Sequence, residues 1–208
     1  MHDLNPSEIE WIFFDLGSTL IDETEAYARR VRETVVGTGV SFAQFDAVMR
    51  RFFAQGSDGY QEAISCFHLQ KTPWHSESEH PYPACTEVLE ALKAHGYRLG
   101  VIANQQPGTE QRLSEWGLLQ FFDVIAASAE LGMAKPDPTI FLWALKKANC
   151  KPQNAVMIGD RVDNDILPAK MLGMKTVRIL SGPAAAFLPQ PDPADRTVKS
   201  LSDLLPIF

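Results

Sequence analysis

The chain has little cysteine and little positive charge. Its three cysteines, Cys66, Cys85 and Cys150, are odd in number and far apart, and none forms a CxxC pair. That argues against a disulfide scaffold or a thiolate zinc site and fits a reducing, cytoplasmic setting. Nineteen Lys and Arg stand against 26 Asp and Glu, a net charge of −7. Non-specific binding to nucleic acid or to an anionic membrane rests on clustered positive charge, so neither partner is expected. No apolar run approaches the length of a membrane span. The opening MHDLNPSEIE lacks the basic-then-apolar pattern of a secretory signal. With 45% hydrophobic and 22% charged residues, the 208 positions make an ordinary soluble mixture, long enough for one α/β core and a small added unit. An anionic small substrate would then need a local positive centre, either a metal ion or a well-placed Lys.

What is present is an alternation of short apolar runs and amphipathic helical stretches. IEWIFFD (9–15), YRLGVIAN (97–104), FFDVIAAS (121–128) and NAVMIGD (154–160) read as buried strands, with KTVRIL (175–180) and DRTVKS (195–200) as weaker edge candidates. Near-continuous apolar strands separated by helices are the pattern of a doubly wound parallel sheet, an α/β fold of Rossmann type. Val88, Leu89 and Leu92 share one helical face. Asp137 reads as an N-cap with Pro138 at the first helical position, followed by Ile140, Phe141, Ala144 and Leu145 at helical spacing. The stretch 22–83 has no convincing strand. Tyr27, Val31 and Val35 recur every four residues, Ser41 and Gln44 make a capping box ahead of a Phe and Met stripe, and Asp58 and Gln61 look like another box. Three helices inserted between the first two core strands account for this, and the stripe reads as bundle core. Residues 181–194, rich in Pro and Ala, read as a surface loop.

In parallel α/β sheets ligands bind beyond the C-terminal strand ends, near the switch point of strand order. Asp15, Ala103-Asn104 and Asp160 fall at such ends, and Lys135 lies in a loop. Singly, each has a plain reading: a turn or helix cap for an Asp, a solvated Lys, a tight turn for Gly-Asp. Together they say more. Asp15, Asp160 and Asp165, if buried side by side, repel one another and call for a hard cation with oxygen ligands, which suits Mg²⁺. A Lys beside them would complete an electrostatic clamp for a phosphate ester.

These segments resemble the four motifs of the haloacid dehalogenase-like hydrolase superfamily, across nearly the whole chain. FFDLGSTL resembles the first motif, usually DxDGT. VIAN stands at the second, usually a strand ending in Thr or Ser. GMAKPDPTIF resembles the Lys-bearing third, and IGDRVDNDI the acidic fourth, GDxxxxD. The resemblance implies a core of residues 1–21 and 84–208 with a helical cap at 22–83. It also implies an aspartyl-phosphate formed on Asp15, with Lys135 as the second catalytic group. Mg²⁺ would be held by Asp15, Asp160 and the Gly17 carbonyl, with Asp165 close by. Phosphate would be bound by Leu16, Gly17, Ala103, Asn104 and Lys135, and the substrate would be a small phosphorylated metabolite.

The chain departs from the pattern twice. Gly17 replaces the Asp that handles protons, and Ala103 replaces the hydroxyl residue. Acid–base help is worth roughly a hundred- to ten-thousandfold; a hydrogen bond to a charged group is worth about 1.5–3 kcal/mol. Candidates for the missing proton group are Asp22, Glu23, Arg161, His68, His75 and His80, and Gln105 or Gln106 could replace the lost hydroxyl as donor. A weak or inactive phosphate- and metal-binding relative is the main alternative. Dehalogenation, which needs no metal, sits poorly with Asp160 and Asp165. Phosphonate cleavage would want a cap Lys, and the inserted stretch offers only Lys71.

Overall fold

The protein is described by a computed structural model covering residues 4–208; Met1 to Asp3, the start of the polar N-terminal segment, lie outside the described residues. Among the described residues eight strands form, in chain order: β1 (Trp11–Phe14), β2 (Ile21–Asp22), β3 (His80–Pro81), β4 (Arg98–Ala103), β5 (Phe122–Ala127), β6 (Ala155–Gly159), β7 (Lys175–Ile179) and β8 (Arg196–Val198). Six of them make one sheet in the order β5-β4-β1-β6-β7-β8, and every pairing in it is parallel. This is the doubly wound α/β arrangement that the apolar runs predict. The order reverses between β1 and β6, so the switch point lies at the ends of the strands that lead into Asp15 and Asp160.

The helices are α1 (Thr24–Val35), α2 (Phe42–Phe53), α3 (Gly59–Phe67), α4 (Cys85–Ala94), α5 (Thr109–Glu115), α6 (Ser128–Leu131), α7 (Pro138–Ala148) and α8 (Leu167–Met171). Side chains of β1 alternate between the two faces of the sheet. Ile12 and Phe14 pack with Val88, Leu89 and Leu92 of α4. Trp11 and Phe13 pack with Ile140, Phe141 and Ala144 of α7. Both faces are therefore covered, which is why the strand is apolar without alternation. α7 starts as read from the sequence: Asp137 accepts a hydrogen bond from the Thr139 N–H at 2.8 Å, with Pro138 at the first position.

Helices α1 to α3 share a separate hydrophobic cluster that includes Val31, Phe45, Met49, Phe53, Tyr60 and Ile64. The Ser41–Gln44 capping box is complete. At Asp58 only the forward bond, from the Gln61 N–H, is made. The inserted stretch also contains a strand: β2 and β3 pair antiparallel, Ile21 with Pro81 and Asp22 with His80, where the helices leave and rejoin the sheet. Two residues per strand are too few to leave a period-two pattern.

Two expectations need correction. β7 is not an edge strand; it lies between β6 and β8. Arg178 makes it look polar, yet that residue is fully buried. Residues 181–194 are more than a surface loop, because Pro183 and Ala184 line the cavity over Asp15. Arg178 joins these facts. Its guanidinium donates to the backbone oxygens of Asp160 (3.2 Å), Ala184 (3.0 Å) and Phe187 (2.6 Å), with Asp192 3.6 Å away. No helix among the described residues is long and apolar enough to cross a membrane.

Arg178→Met leaves these carbonyls without their donor, at about 1–3 kcal/mol for each one that stays buried and unpaired. The expected loss is on the order of 3 kcal/mol, or roughly 6–12 °C in Tm, with new proteolytic cleavage confined to 181–194. A Tm within about 2 °C of wild type and no new cleavage would show that the anchor is dispensable.

Candidate active site

Asp15 is the first residue past β1, and Asp160 the first past β6. The Asp15 N–H still donates to the Ile158 oxygen at 2.9 Å, so the ladder carries its carboxylate to the switch point. Lys135 lies in the loop between α6 and α7. The side chain of Asn104, at the end of β4, brackets its backbone: Asn104 Oδ1 accepts from the Lys135 N–H at 2.8 Å, and Asn104 Nδ2 donates to the Lys135 oxygen at 2.9 Å. So held, the buried Lys135 Nζ donates to Asp15 Oδ1 and to Asp165 Oδ1, both at 2.6 Å. Carboxylate oxygens of Asp15, Asp160 and Asp165 all lie within 4.8 Å of one another.

Asp165 sits in a single π-helical turn, Val162–Ile166, between β6 and α8. Its second oxygen accepts from the Arg161 N–H at 2.9 Å, so both of its oxygens are engaged. The fit explains Gly159: a Cβ there would lie 2.4 Å from the Asp165 carboxyl. The Asp160 carboxylate, by contrast, accepts no hydrogen bond from the described residues. All-oxygen donors at this spacing suit a small, hard divalent cation, with Asp15 and Asp160 the freer ligands and Asp165 holding Lys135 in place.

Crowding shifts the titrations. Burial, then repulsion from Asp165 and Asp15, pushes the Asp160 carboxyl well above the usual range. Burial also raises Asp165, against the pull of Lys135. Burial opposes the Lys135 charge, but Asp15 and Asp165 outweigh it and raise its pKa. Glu23 is pushed up to about 8, mainly by burial, with Glu79 and Asp15 adding repulsion and a hydrogen bond from Ser18 opposing.

The structure brings Asp15, Gly17, Asn104, Lys135, Asp160 and Asp165 around one cavity of about 150 Å³. Leu16 and Ala103 do not line it; their side chains lie in the hydrophobic core. Of the proposed proton groups, only Glu23 and Arg161 reach the cavity. Asp22 caps the Thr24 N–H, His75 pairs with Glu33 and Glu77, His80 lies 3.9 Å from Asp22, and His68 ends α3. Gln105 lines the cavity, with its Oε1 taken by Arg112 at 3.0 Å. Sequence reading missed Ser18 and the bracketing role of Asn104, and it took Tyr27 only as helix stripe although that ring faces the cavity. The one available signal was that Asn104 ends an apolar strand. A second space of about 770 Å³ adjoins the first, sharing Glu23, Tyr27, Asn104 and Gln105 and reaching Arg30, Lys71 and Arg112.

Raised carboxyl pKa values mean that the folded state binds protons the unfolded chain has released, so stability falls as pH rises through that interval. For Glu23 the window runs from 4.5 to about 8, and Asp160 and Asp165 add to the fall. In chelator, the urea midpoint is expected to drop steadily between about pH 5 and 8, and Asp160→Asn to flatten the slope. A slope unchanged by Asp160→Asn would show that Asp160 is not among the causes, and Glu23→Gln would then have to flatten it.

Comparison with known proteins adds a family to this geometry. The haloacid dehalogenase-like hydrolase family matches residues 12–179. The glyceraldehyde 3-phosphate phosphatase of Methanocaldococcus jannaschii is 31% identical, over 96% of this chain and 96% of its own. The pyrophosphatase PpaX of Bacillus mycoides is 28% identical, over 97% of each. Among solved structures, a HAD phosphatase from Thermococcus onnurineus superposes with a TM-score of 0.68 at 24% identity, over 96% of this chain and 97% of that one, a likeness of fold. On the span of the family match and the identity to full-length relatives, the chain belongs to the haloacid dehalogenase-like hydrolases.

Proposed function

We propose that the protein is a Mg²⁺-dependent phosphatase of small phosphorylated metabolites, acting through an aspartyl-phosphate on Asp15. The observation that carries this is the Lys135 ammonium, buried and 2.6 Å from both Asp15 and Asp165, beside the less engaged Asp160. Relatives that match nearly end to end bear phosphatase names, which supports the same reaction class.

Each group has a task. An Asp15 oxygen attacks phosphorus in line with the leaving oxygen. Two anions must meet for this, and Lys135 lowers their repulsion while aligning the Asp15 carboxylate. Asp165 holds the ammonium, and Asn104 sets the backbone that carries it. Asp15, Asp160 and the Gly17 carbonyl would hold Mg²⁺, with Asp165 in support; the ion would supply further charge neutralisation at the phosphoryl oxygens. Backbone N–H groups at Gly17 and Asn104, which line the cavity, are proposed to face the phosphoryl group, while Leu16 and Ala103 stay behind it in the core. Residues 22–83 act as a cap that shields the site from water. The site cavity takes a phosphoryl group, and the adjoining space takes the body of a metabolite rather than a protein chain. The cysteines stay unpaired, which fits a cytoplasmic setting.

The test is hydrolysis of 4-nitrophenyl phosphate with and without Mg²⁺. Turnover should need the ion, vanish in Asp15→Asn, and fall by about two orders of magnitude or more in Lys135→Met. Mg²⁺ should also raise Tm in the wild type and not in Asp160→Asn. Mg²⁺-dependent phosphate binding without turnover would instead mark a binding protein on the same fold.

A further inference from the structure

Cleaving a phosphate ester of an aliphatic alcohol expels a strongly basic alkoxide, and breaking an aspartyl-phosphate requires water to lose a proton. Both steps need a proton group on the far side of the phosphorus from Asp15. Gly17 brings no side chain, so the chain must find that group elsewhere or forgo it.

The space above Gly17 is filled. A Cβ on Gly17 would lie 2.4 Å from Glu23 Oε1, and 2.8 Å from both Cδ and Oε2. The Glu23 carboxyl therefore occupies the volume that a side chain at position 17 would enter. Three local features place it there. Glu23 is the N-cap residue of α1, yet its side chain caps nothing; Asp22 takes over by accepting from the Thr24 N–H at 2.8 Å. Ser18 adopts the left-handed conformation, φ 56°, which non-glycine residues rarely take. There its hydroxyl donates to Glu23 Oε2 at 2.9 Å. The Ser18 carbonyl in turn accepts from the Ser181 hydroxyl, tying this turn to the loop over the site. Glu23 also borders both the Asp15 cavity and the larger space beside it, so it stands where the phosphoryl group meets the rest of the substrate.

We propose that Glu23 is a catalytic residue of this enzyme, the proton donor to the leaving oxygen and the acceptor from the attacking water. The proposal rests on the phosphatase reading above. In the first step an Asp15 oxygen bonds to phosphorus, the bond from phosphorus to the leaving oxygen breaks, and the Glu23 carboxyl passes its proton to that oxygen, releasing the alcohol. In the second, water attacks phosphorus, its proton goes to the Glu23 carboxylate, and the Asp15–phosphorus bond breaks. Phosphate leaves, and both side chains return to their starting states. Gly17 and Glu23 are then a matched pair, since a side chain at 17 would need the volume that the Glu23 carboxyl now holds and would have to displace it.

The experiment uses the full chain with Mg²⁺ and two substrates, 4-nitrophenyl phosphate, whose leaving group needs no proton, and glycerol phosphate, whose leaving group does. For Glu23→Gln, steady-state turnover is expected to fall by about 10²–10⁴-fold on both. A rapid burst of nitrophenolate should persist, with phosphate trapped on Asp15, while glycerol phosphate gives no burst of alcohol. Gly17→Asp alone should lose activity through collision with Glu23, and Gly17→Asp combined with Glu23→Ser should regain at least ten times the activity of Glu23→Gln, an outcome a merely structural Glu23 does not produce. Wild-type turnover with Glu23→Gln unaffected, or equal loss on both substrates with no burst and no rescue, would overturn the role of Glu23 and leave the phosphatase standing. No wild-type turnover on either substrate would overturn both.

Discussion

The Lys135 ammonium lies between two carboxylates that emerge from different parts of the chain, and the site exists because it does. Parallel pairing of β1 with β6 brings Asp15 and Asp160 to adjacent strand ends, and the π turn after β6 adds Asp165. Buried carboxylates at this spacing repel strongly where water is excluded. One buried cation answers part of that repulsion; burial, together with the repulsion that is left, raises the titrations of Asp160 and Asp165. On the proposed function, the remaining negative charge is what would attract a divalent ion and, through that ion, a phosphoryl group. Much of the surrounding geometry serves this one nitrogen: the Asn104 bracket, the Asp165 bond and the close approach that Gly159 permits.

The sheet was legible because its information is local. Runs such as FFDVIAAS and NAVMIGD are apolar on both faces, and burial on both faces is what a parallel strand requires. The acidic cluster was legible because carboxylates directly after such runs fall at strand ends. β7 was misjudged because Arg178 looks like a solvent-facing residue, and only tertiary structure shows three carbonyls converging on it. The β2–β3 pair was too short to leave a pattern, and the part of 181–194 played over the cavity is fixed by long-range contact.

Among the candidate proton groups, sequence could name six and rank none. The structure separates them by prior engagement. Asp22 is a cap, His75 belongs to an ion-pair cluster on the inserted helices, and Arg161 is paired with Asp163 at 2.6 Å. Glu23 differs because an absence at position 17 makes room for it and a strained serine holds it. A missing side chain in a motif is thus better read as a vacated volume than as a deletion, and the useful question is which neighbour has moved in.

The central place of β1 has a consequence in time. This strand is made first, yet its partners Arg98–Ala103 and Ala155–Gly159 come much later in the chain. During synthesis the inserted helices, whose contacts are short in sequence, can gather around Phe45, Tyr60 and Ile64 while β1 still waits for both neighbours. Asp15 meets Asp160 only when β6 docks beside β1. The most repulsive part of the molecule therefore joins residues that leave the ribosome far apart in time, with β7 and β8 still to be added beyond β6.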